Sequence, residues 1–213
     1  MKLNLSVDEV LTTTRTVRKR LDVTKPVPRE VIEECLELAL QAPNGSNRNE
    51  WRWIIVDEPA MVAKLAGEYK AAMGMLDSGE APTRMGPDPN TPREEKLLES
   101  AYALPEKLAK SPAILIPLMP GRPDGGSAFD QAAMWGSIVQ AVWSFMLALR
   151  DRGLGSAWTT VALRREREIA ELLGIPFDDY TQVGLFPIAY TIGTDFKRAW
   201  RRPVSEVLSY NHF

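Results

Sequence analysis

The stretch APNGSNRNEWRWIIV, residues 42–56, contains the two patterns that decide the fold. Residues 42–50 are dense in proline, glycine, asparagine and serine, which are the residues that favour turns. Residues 51–56 are rich in tryptophan, isoleucine and valine and are followed by a polar turn, as expected of a β-strand. A helical stripe of apolar residues precedes the loop, beginning near Pro28 and ending before Pro43. The chain is therefore expected to combine helices and strands.

Apolar segments dominate the second half of the chain. Residues 113–118 and 183–192 predict strands, and residues 128–152 predict a long helix that ends at the glycines of residues 153–155. Within that helix, residues 132–149 are the best candidate for a membrane span. The length is marginal and serine and glutamine recur along the helix, so burial inside a globular protein is the preferred interpretation.

The domain organisation is simple. The chain has no internal repeat, no low-complexity tract and no linker, which predicts a single domain over residues 1–213. Residues 74–93 differ in character because they hold seven glycines and prolines with little periodicity. Long irregular loops in compact domains are usually functional or disordered, so we expect a lid or insertion that covers a pocket.

The composition excludes several classes of protein. The chain has 213 residues, 45% of them hydrophobic, which is enough for one sizeable core. A net charge of −2 does not favour binding of nucleic acid or of an anionic membrane. Cys35 is the only cysteine and is expected to be a packed core thiol, which fits a reducing compartment and predicts a cytoplasmic protein. His212 is the only histidine and lies near the end, which excludes internal histidine metal sites and Ser-His-Asp triads.

The familiar catalytic signatures are also missing. The sequence has no glycine-rich phosphate loop after a strand, no Cys-x-x-Cys motif and no His-Glu-x-x-His motif. If the chain is an enzyme, its reactivity therefore has to come from a bound organic cofactor.

Arg15-Thr16-Val17-Arg18 is the first candidate for cofactor binding. It offers two guanidinium groups three residues apart, with a hydroxyl group between them. At the end of a helix Arg15 and Arg18 would share a face, and arginine forks suit phosphate oxygens. The alternative is that this basic run only complements the dipole of the preceding helix.

Three further stretches are weak candidates taken one at a time, because each also has a purely structural interpretation. Residues 44–47 could present amides to a polar ring edge, or form only a turn. Trp158, Thr159 and Thr160 follow a glycine pair and could place backbone N–H groups beside a ligand, or belong to a buried strand. Residues 201–203, Arg-Arg-Pro, are by themselves typical of a solvated tail.

The order of these pieces resembles the nitroreductase family. Residues 15–18 resemble its Arg-Ser-x-Arg element, and residues 42–56 look like its Ala-Pro-Ser-x-x-Asn-x-Gln-Pro-Trp loop and strand. Residues 153–160 are similar to its Gly-Leu-Gly-Ser segment, residues 185–190 resemble its late Pro-x-Gly-Tyr strand, and residues 201–203 match its closing basic-x-Pro element. Five pieces in the right order over almost the whole chain are far more specific than any one of them.

The resemblance implies an α+β fold of three layers, in which a mainly antiparallel central sheet is flanked by helices. It also implies an intertwined homodimer with two FMN sites at the subunit interface. The residues expected from one subunit are Arg15, Thr16, Arg18, Trp158, Thr159, Thr160 and Arg201. The residues expected from the other subunit are Pro43, Asn44, Ser46 and Asn47. Arg18 is expected near the N1–O2 edge of the flavin, where a positive charge stabilises the reduced ring, and Arg198 is the alternative to Arg201.

The implied reaction is a ping-pong electron transfer. NADH or NADPH gives a hydride to flavin N5 and leaves, and a small-molecule electron acceptor then takes its place: a nitroaromatic, a quinone or another conjugated electrophile. No side-chain base or nucleophile is required, so no catalytic side chain is predicted. The alternatives are an FMN enzyme of different chemistry, such as reductive dehalogenation or flavin cleavage, a non-catalytic flavin-binding protein, and a protein without any cofactor.

Overall fold

The structure is a computed structural model, which describes residues 2–77 and 99–213. The helices whose full extent is described are α1 (Val7–Thr13), α2 (Arg29–Ala39), α3 (Pro59–Asp77), α4 (Leu104–Leu108), α5 (Ala128–Asp151), α6 (Glu166–Leu173) and α7 (Val204–Val207). The strands are β1 (Leu21–Asp22), β2 (Arg52–Val56), β3 (Ala113–Pro120), β4 (Leu154–Ser156), β5 (Tyr180–Gln182) and β6 (Phe186–Thr191). Two short 3₁₀ helices cover Gly45–Asn47 and Val161–Arg165.

The six strands form one sheet with β3 and β6 at its centre. The main path runs β1-β6-β3-β2, while β4 pairs with β6 and β5 pairs with β3. All of these pairings are antiparallel. The expectation of a mainly antiparallel sheet is therefore confirmed.

The sheet separates two hydrophobic cores because alternate side chains of a strand point to opposite faces. Ile114 and Ile116 of β3 pack into a core that also holds apolar side chains of α3, α4 and α6. Leu115 and Met119 of the same strand pack into a second core with side chains of α2 and α5. Helices therefore cover both faces of the sheet, as the resemblance to the nitroreductase family implies. Each fully buried leucine or isoleucine contributes about 2 kcal/mol to this arrangement.

Helix α5 contributes most of the buried helical side chains of the second core. The side chain of Ser127 caps its N-terminus by accepting a hydrogen bond from the Asp130 N–H. Within the described ranges it is the one helix long and apolar enough to cross a membrane. That is weak evidence, because nine of its residues are buried inside the fold. Phe129 and Trp143, by contrast, are 80% and 39% exposed, so part of its apolar surface is uncovered in a single chain.

Two element predictions require correction. Residues 74–77 belong to the last turn of α3, although the sequence predicts an irregular loop there; residues 78–93 of the expected lid lie outside the described residues. The strand expected over residues 183–192 begins only at Phe186, as β6, because the chain turns at Gly184 with a φ of 149°; the separate strand β5 precedes that turn. A Cβ at that position would lie 2.8 Å from the Thr159 carbonyl oxygen, which only glycine avoids.

Candidate functional site

The N-terminal arginine motif is extended and not helical. Helix α1 ends at Thr13, and Thr14 already has extended backbone angles. Thr16 forms a parallel bridge with Ser156, and the Val17 N–H donates a 2.8 Å hydrogen bond to the Ser156 carbonyl. The expectation that Arg15 and Arg18 share a helical face is therefore wrong. The physical reason is that Val17 is buried in the core and its backbone pairs with β4, which requires an extended chain.

Arg15 lies where the end of α1 meets the C-terminal tail. Its guanidinium donates hydrogen bonds to the carbonyls of Thr12 at 2.8 Å and Thr14 at 2.7 Å, and also to that of Lys197. Arg15 thus satisfies carbonyls at the end of α1, as the helix-dipole interpretation expects. Three of its five N–H donors are used in this way, which leaves two for other partners.

The same guanidinium lines a cationic cavity. A surface cavity of about 320 Å³ is lined by Arg15, Arg198 and Arg201, together with Leu11, Thr12 and Ala199. None of the described residues lining it carries a carboxylate. Desolvation, followed by the charges of Arg201 and Arg150, lowers the pKa of Arg15. A guanidinium stays charged at neutral pH all the same, so the repulsion makes this cavity a favourable place for an anion.

Thr16 and Arg18 lie in a neighbouring cavity. It has a volume of about 470 Å³, and its lining also includes Lys19, Arg20 and Phe196. The one carboxylate among its described lining residues, Glu99, forms an ion pair with Lys19. Burial lowers the pKa of Arg18, while the nearby Tyr69 acts in the opposite direction. The motif therefore presents one arginine to each of two adjacent cavities, and both remain available for different parts of an elongated anionic ligand.

The loop of residues 43–47 is held against α5. The Gly45 N–H donates to Ser137 Oγ at 2.9 Å, and the Asn44 side chain exchanges hydrogen bonds with Asn49. Ser46 and Asn47 both have a φ of 53°, in the left-handed region that non-glycine residues rarely adopt. Such conformations cluster at functional sites, where the surrounding structure holds them.

The surface around this loop is open. Asn44 and Ser46 line a cavity of about 340 Å³, whose apolar wall includes Trp51, Phe129 and Met134. Pro43 and Asn47 are exposed. The loop therefore presents polar groups next to an apolar wall, which is an arrangement suited to the edge of a heterocyclic ring.

Trp158, Thr159 and Thr160 lie in three different environments. The Trp158 indole N–H donates to the Val183 carbonyl at 3.2 Å, and its ring packs on Phe186 with 5.3 Å between centroids. Thr159 is buried, and both its backbone N–H and its hydroxyl donate to the Leu185 carbonyl. Thr160 is exposed at the start of the second 3₁₀ helix. The donors of Thr159 are thus used within the sheet, while Thr160 is exposed and Trp158 is half-buried.

Within one chain these groups form two separate clusters. Arg15 and Arg201 meet at one end of α5, where Arg150 is located, whereas the loop of residues 43–47 contacts the helix at Ser137. Ser137 and Arg150 are 13 residues apart on α5, which corresponds to about 20 Å along a helix axis. The loop and the arginines of a single chain therefore do not surround one common cavity.

Two residues near the site are not among the sequence-derived candidates. Ser137 accepts the hydrogen bond from the loop, and Arg150 is 5% exposed at the end of α5. Arg150 could have been noticed, because it is a charged residue four positions after Met146 in the apolar stripe of the predicted core helix. Nothing in the local sequence distinguishes Ser137 from the other serine of that helix.

Comparisons with known proteins agree with this fold. A protein of Archaeoglobus fulgidus, provisionally assigned as an NADH dehydrogenase/NAD(P)H nitroreductase, is 28% identical over 171 residues, which are 79% of this chain and 76% of that protein. The solved structure of iodotyrosine deiodinase bound to FMN and 3-iodo-L-tyrosine superposes with a TM-score of 0.73 and 20% identity, covering 98% of this chain and 100% of that one. An FMN- and NADPH-dependent nitroreductase from Sphigopyxis sp. strain HMH, solved as a mutant, gives a TM-score of 0.70 and 21% identity, with coverage of 98% and 100%.

A family model extends the agreement from the fold to the sequence. The model that describes the nitroreductase family matches residues 11–190. The matched part contains four of the five motif-like pieces, and only the Arg-Arg-Pro element of the tail lies outside it. Because the match spans most of the sequence, the chain belongs to the nitroreductase family, as the order of its motifs predicts.

Proposed function

We propose that this chain is an FMN-dependent oxidoreductase that takes electrons from NADH or NADPH and reduces nitroaromatics, quinones or similar conjugated electrophiles. The observation that carries the proposal is the cavity of about 320 Å³ lined by Arg15, Arg198 and Arg201 without a carboxylate among its described lining residues. Three guanidinium groups around one cavity fit a phosphate group. The chemistry that bound FMN supplies is two-electron transfer between a nicotinamide and an electron-poor acceptor.

The protein's own groups have distinct tasks in this proposal. Arg15 and Arg201 hold the phosphate, and Thr16 provides a neutral hydroxyl in the adjoining cavity. Arg18, half buried in that cavity, places a permanent positive charge near the pyrimidine edge of the ring, where negative charge develops on reduction. Trp158 and Thr160 flank the ring, and Thr159 fixes that turn to the sheet through the Leu185 carbonyl. Water exclusion and ring position, rather than a side-chain base, are what the chain contributes to the reaction.

A homodimer is part of the same proposal. The loop of residues 43–47 lies about 20 Å along α5 from the arginine cluster of its own chain, so Pro43, Asn44, Ser46 and Asn47 would serve the site of a second copy. Two α5 helices packed antiparallel about a twofold axis bring the loop end of one beside the arginine end of the other. The exposed apolar side chains of Phe129 and Trp143 support this packing, because the contact would bury them.

The first experiment is a spectrum. The purified protein is expected to be yellow or to bind added FMN in a titration followed by quenching of flavin fluorescence. Under anaerobic conditions NADH or NADPH should then bleach the flavin absorbance, and a nitroaromatic or quinone should restore it. A protein without flavin absorbance and without FMN affinity would contradict the central proposal.

A second experiment tests the dimer. Trp143→Glu places a charge in the proposed contact between α5 helices and is expected to convert the dimer into a monomer with weakened FMN binding. Ala63→Glu is the matched control, because Ala63 is also exposed but lies on α3, on the other side of the sheet. Light scattering coupled to size-exclusion chromatography gives the mass of each variant. An unaltered chain that is monomeric and still binds FMN would rule out the shared site.

A different reaction on the same cofactor is the second candidate. The solved structure of the deiodinase covers 98% of this chain and holds FMN and 3-iodo-L-tyrosine. Reductive dehalogenation is therefore tested by supplying a halogenated tyrosine and a nitroaromatic in parallel to the reduced protein. Rapid reoxidation by the nitroaromatic alone supports the first proposal, and halide release supports the second. If NAD(P)H fails to bleach bound flavin, a non-catalytic flavin-binding protein is favoured.

A further inference from the structure

Arg150 is a buried charge that forms no ion pair with the described part of the chain. Its side chain is 5% exposed, and no carboxylate of the described residues pairs with it. Nε and Nη2 donate to Thr13 Oγ1 at 3.2 and 3.1 Å, and Nη2 also donates to the Thr194 carbonyl at 3.0 Å. Nη1 is buried and finds no acceptor within the described ranges. Burying an unpaired cation is costly, so its presence calls for a reason other than stability.

Arg152 provides the contrast within the same turn. It is 7% exposed, which is almost the same burial as that of Arg150. Its guanidinium nonetheless donates to a carboxylate oxygen of Glu34 at 3.2 and 3.3 Å and to the Ala148 carbonyl at 3.2 Å. Arg152 is therefore a paired, structural arginine, whereas Arg150 donates only to neutral groups and contacts the ring of Phe196, 4.9 Å away. The neighbouring charge of Asp151 acts on Arg150 without forming an ion pair with it, and it is opposed by that of Arg20.

Arg150 lies directly behind the arginine cavity. It lines, with Arg15 and Ser156, a small internal cavity of about 10 Å³. That volume is about the size of one water molecule, so it is too small for a phosphate group. Arg150 therefore cannot contact a phosphate by this route and has to act through the groups around it; Arg15 lines both this small cavity and the larger one with Arg198 and Arg201.

Both arginines hold the same part of the C-terminal tail. Arg150 donates to the carbonyl of Thr194, and Arg15 donates to the carbonyl of Lys197. Between these two anchors, the ring of Phe196 is contacted on its faces by Arg20 at 4.1 Å and Arg150 at 4.9 Å. Arg20 also donates to the Ile192 carbonyl and to Asp195. The tail that carries Arg198 and Arg201 thus leaves the fold at a point that Arg150 holds from the side of α5 and Arg20 from the other.

We propose that Arg150 is a positioning residue of the phosphate site, which fixes the end of α1 beside Arg15 and the tail behind that site and adds a second layer of positive charge to it. The inference rests on the proposed function, because it assigns Arg150 to the anionic end of FMN. A positive charge at this position favours the phosphorylated flavin and is indifferent to the neutral ribityl chain of riboflavin. Arg150 therefore contributes to the preference for FMN over riboflavin.

The experiment compares two flavins on apoprotein. Dissociation constants for FMN and riboflavin are measured by fluorescence quenching on the unaltered chain and on Arg150→Met, Arg150→Lys and the matched control Arg152→Met. For Arg150→Met we expect FMN affinity to fall about ten-fold while riboflavin affinity changes less than about two-fold. Arg150→Lys, which retains the charge, should recover most of the FMN affinity. Arg152→Met should change the two affinities in parallel or not at all.

The outcomes separate the inference from the function on which it rests. An equal loss of both flavins in Arg150→Met, with a fall in melting temperature of more than about 10 °C, means that Arg150 is only a structural tie and overturns the inference. So does an unchanged ratio of the two affinities. If Arg150→Met does not fold, Arg150→Gln, which retains donors for Thr13 and Thr194, is compared in the same way. An unaltered chain that binds neither flavin instead contradicts the proposed function.

Discussion

The backbone N–H of Gly45 donates a 2.9 Å hydrogen bond to Ser137 Oγ, and the Ser137 hydroxyl donates in turn to the Ala133 carbonyl at 2.7 Å. This relay ties the loop of residues 43–47 to the middle of the core helix. Ser46 and Asn47, the next two residues, have left-handed backbone angles that are unfavourable for them. The hydrogen bond to Ser137 therefore helps to hold a strained loop in one conformation.

Ser137→Ala is expected to release the loop without unfolding the protein. The loss of one half-buried hydrogen bond costs about 1 kcal/mol, and the strained angles of Ser46 and Asn47 are then less well held. FMN affinity should fall about three- to ten-fold, as measured by fluorescence titration. Ser144→Ala on the same helix is the control and should leave the affinity unchanged. Equal affinities for both variants would show that the hydrogen bond between Gly45 and Ser137 does not matter for the site.

Arg201→Met should weaken FMN binding more than Arg198→Met. Both side chains line the cavity with Arg15, but of the two only Arg201 contributes to lowering the pKa of Arg15, after desolvation and ahead of Arg150. The positive charge of Arg201 therefore acts more strongly on Arg15 than that of Arg198 does, and we expect Arg15 and Arg201 to contact the same anion. We expect about a ten-fold loss of FMN affinity for Arg201→Met and a smaller loss for Arg198→Met. The reverse order would assign the phosphate contact to Arg198.

The layered fold could be predicted well from the sequence because its signals are local. The run of residues 113–118 is apolar on both faces, as expected of a central strand covered by helices on each side. The errors arise where distant contacts override the local pattern. Residues 15–18 follow a helix and keep helical spacing, yet the pairing of Val17 with Ser156 draws them into an extended chain.

In the candidate site, too, local motifs were predictable and contacts between distant residues were not. The residues placed by motif order, such as Arg15 and Arg201, come together at one cavity. The charge of Arg150 stands out in the apolar stripe, but the roles of Ser137 and Arg150 were not predictable, because their partners are distant in the sequence: Gly45 lies 92 residues from Ser137, and Thr13 lies 137 residues from Arg150. A hydroxyl or a charge in an apolar helix gains its role only from what the fold brings beside it.

Gly155→Ala is expected to destabilise the sheet beside the N-terminal motif. A Cβ at position 155 would lie 2.8 Å from the γ-methyl groups of both Thr191 and Val17, closer than side chains tolerate. Overpacking of this kind costs about 1–3 kcal/mol, which lowers the melting temperature by about 2–4 °C per kcal/mol in a chain of this size. Thermal unfolding followed by circular dichroism measures the shift.

Gly136→Ala is the control for that substitution. A Cβ at Gly136 would meet nothing within 4 Å, and the residue lies inside α5, where alanine is favoured over glycine by about 1 kcal/mol. Its melting temperature should therefore stay the same or rise. If both variants lose stability to the same extent, the close approach of Val17 and Thr191 to Gly155 is not the cause.

Cys35 should be inert in the native protein and should react only on unfolding. Its side chain is fully buried on α2, and burial raises the pKa of its thiol to about 11, with a small opposing effect from Arg152. An unfolded chain has a thiol pKa of about 8.5, so the free energy of unfolding should fall as the pH rises from about 8.5 towards 11. At pH 8 a thiol-specific disulfide reagent should label the native protein at least about a hundred-fold more slowly than the chain in denaturant. Cys35→Ala, which removes the only cysteine of the chain, should show neither the labelling nor this part of the pH dependence, whereas fast labelling of the native protein would contradict a sealed core around α2.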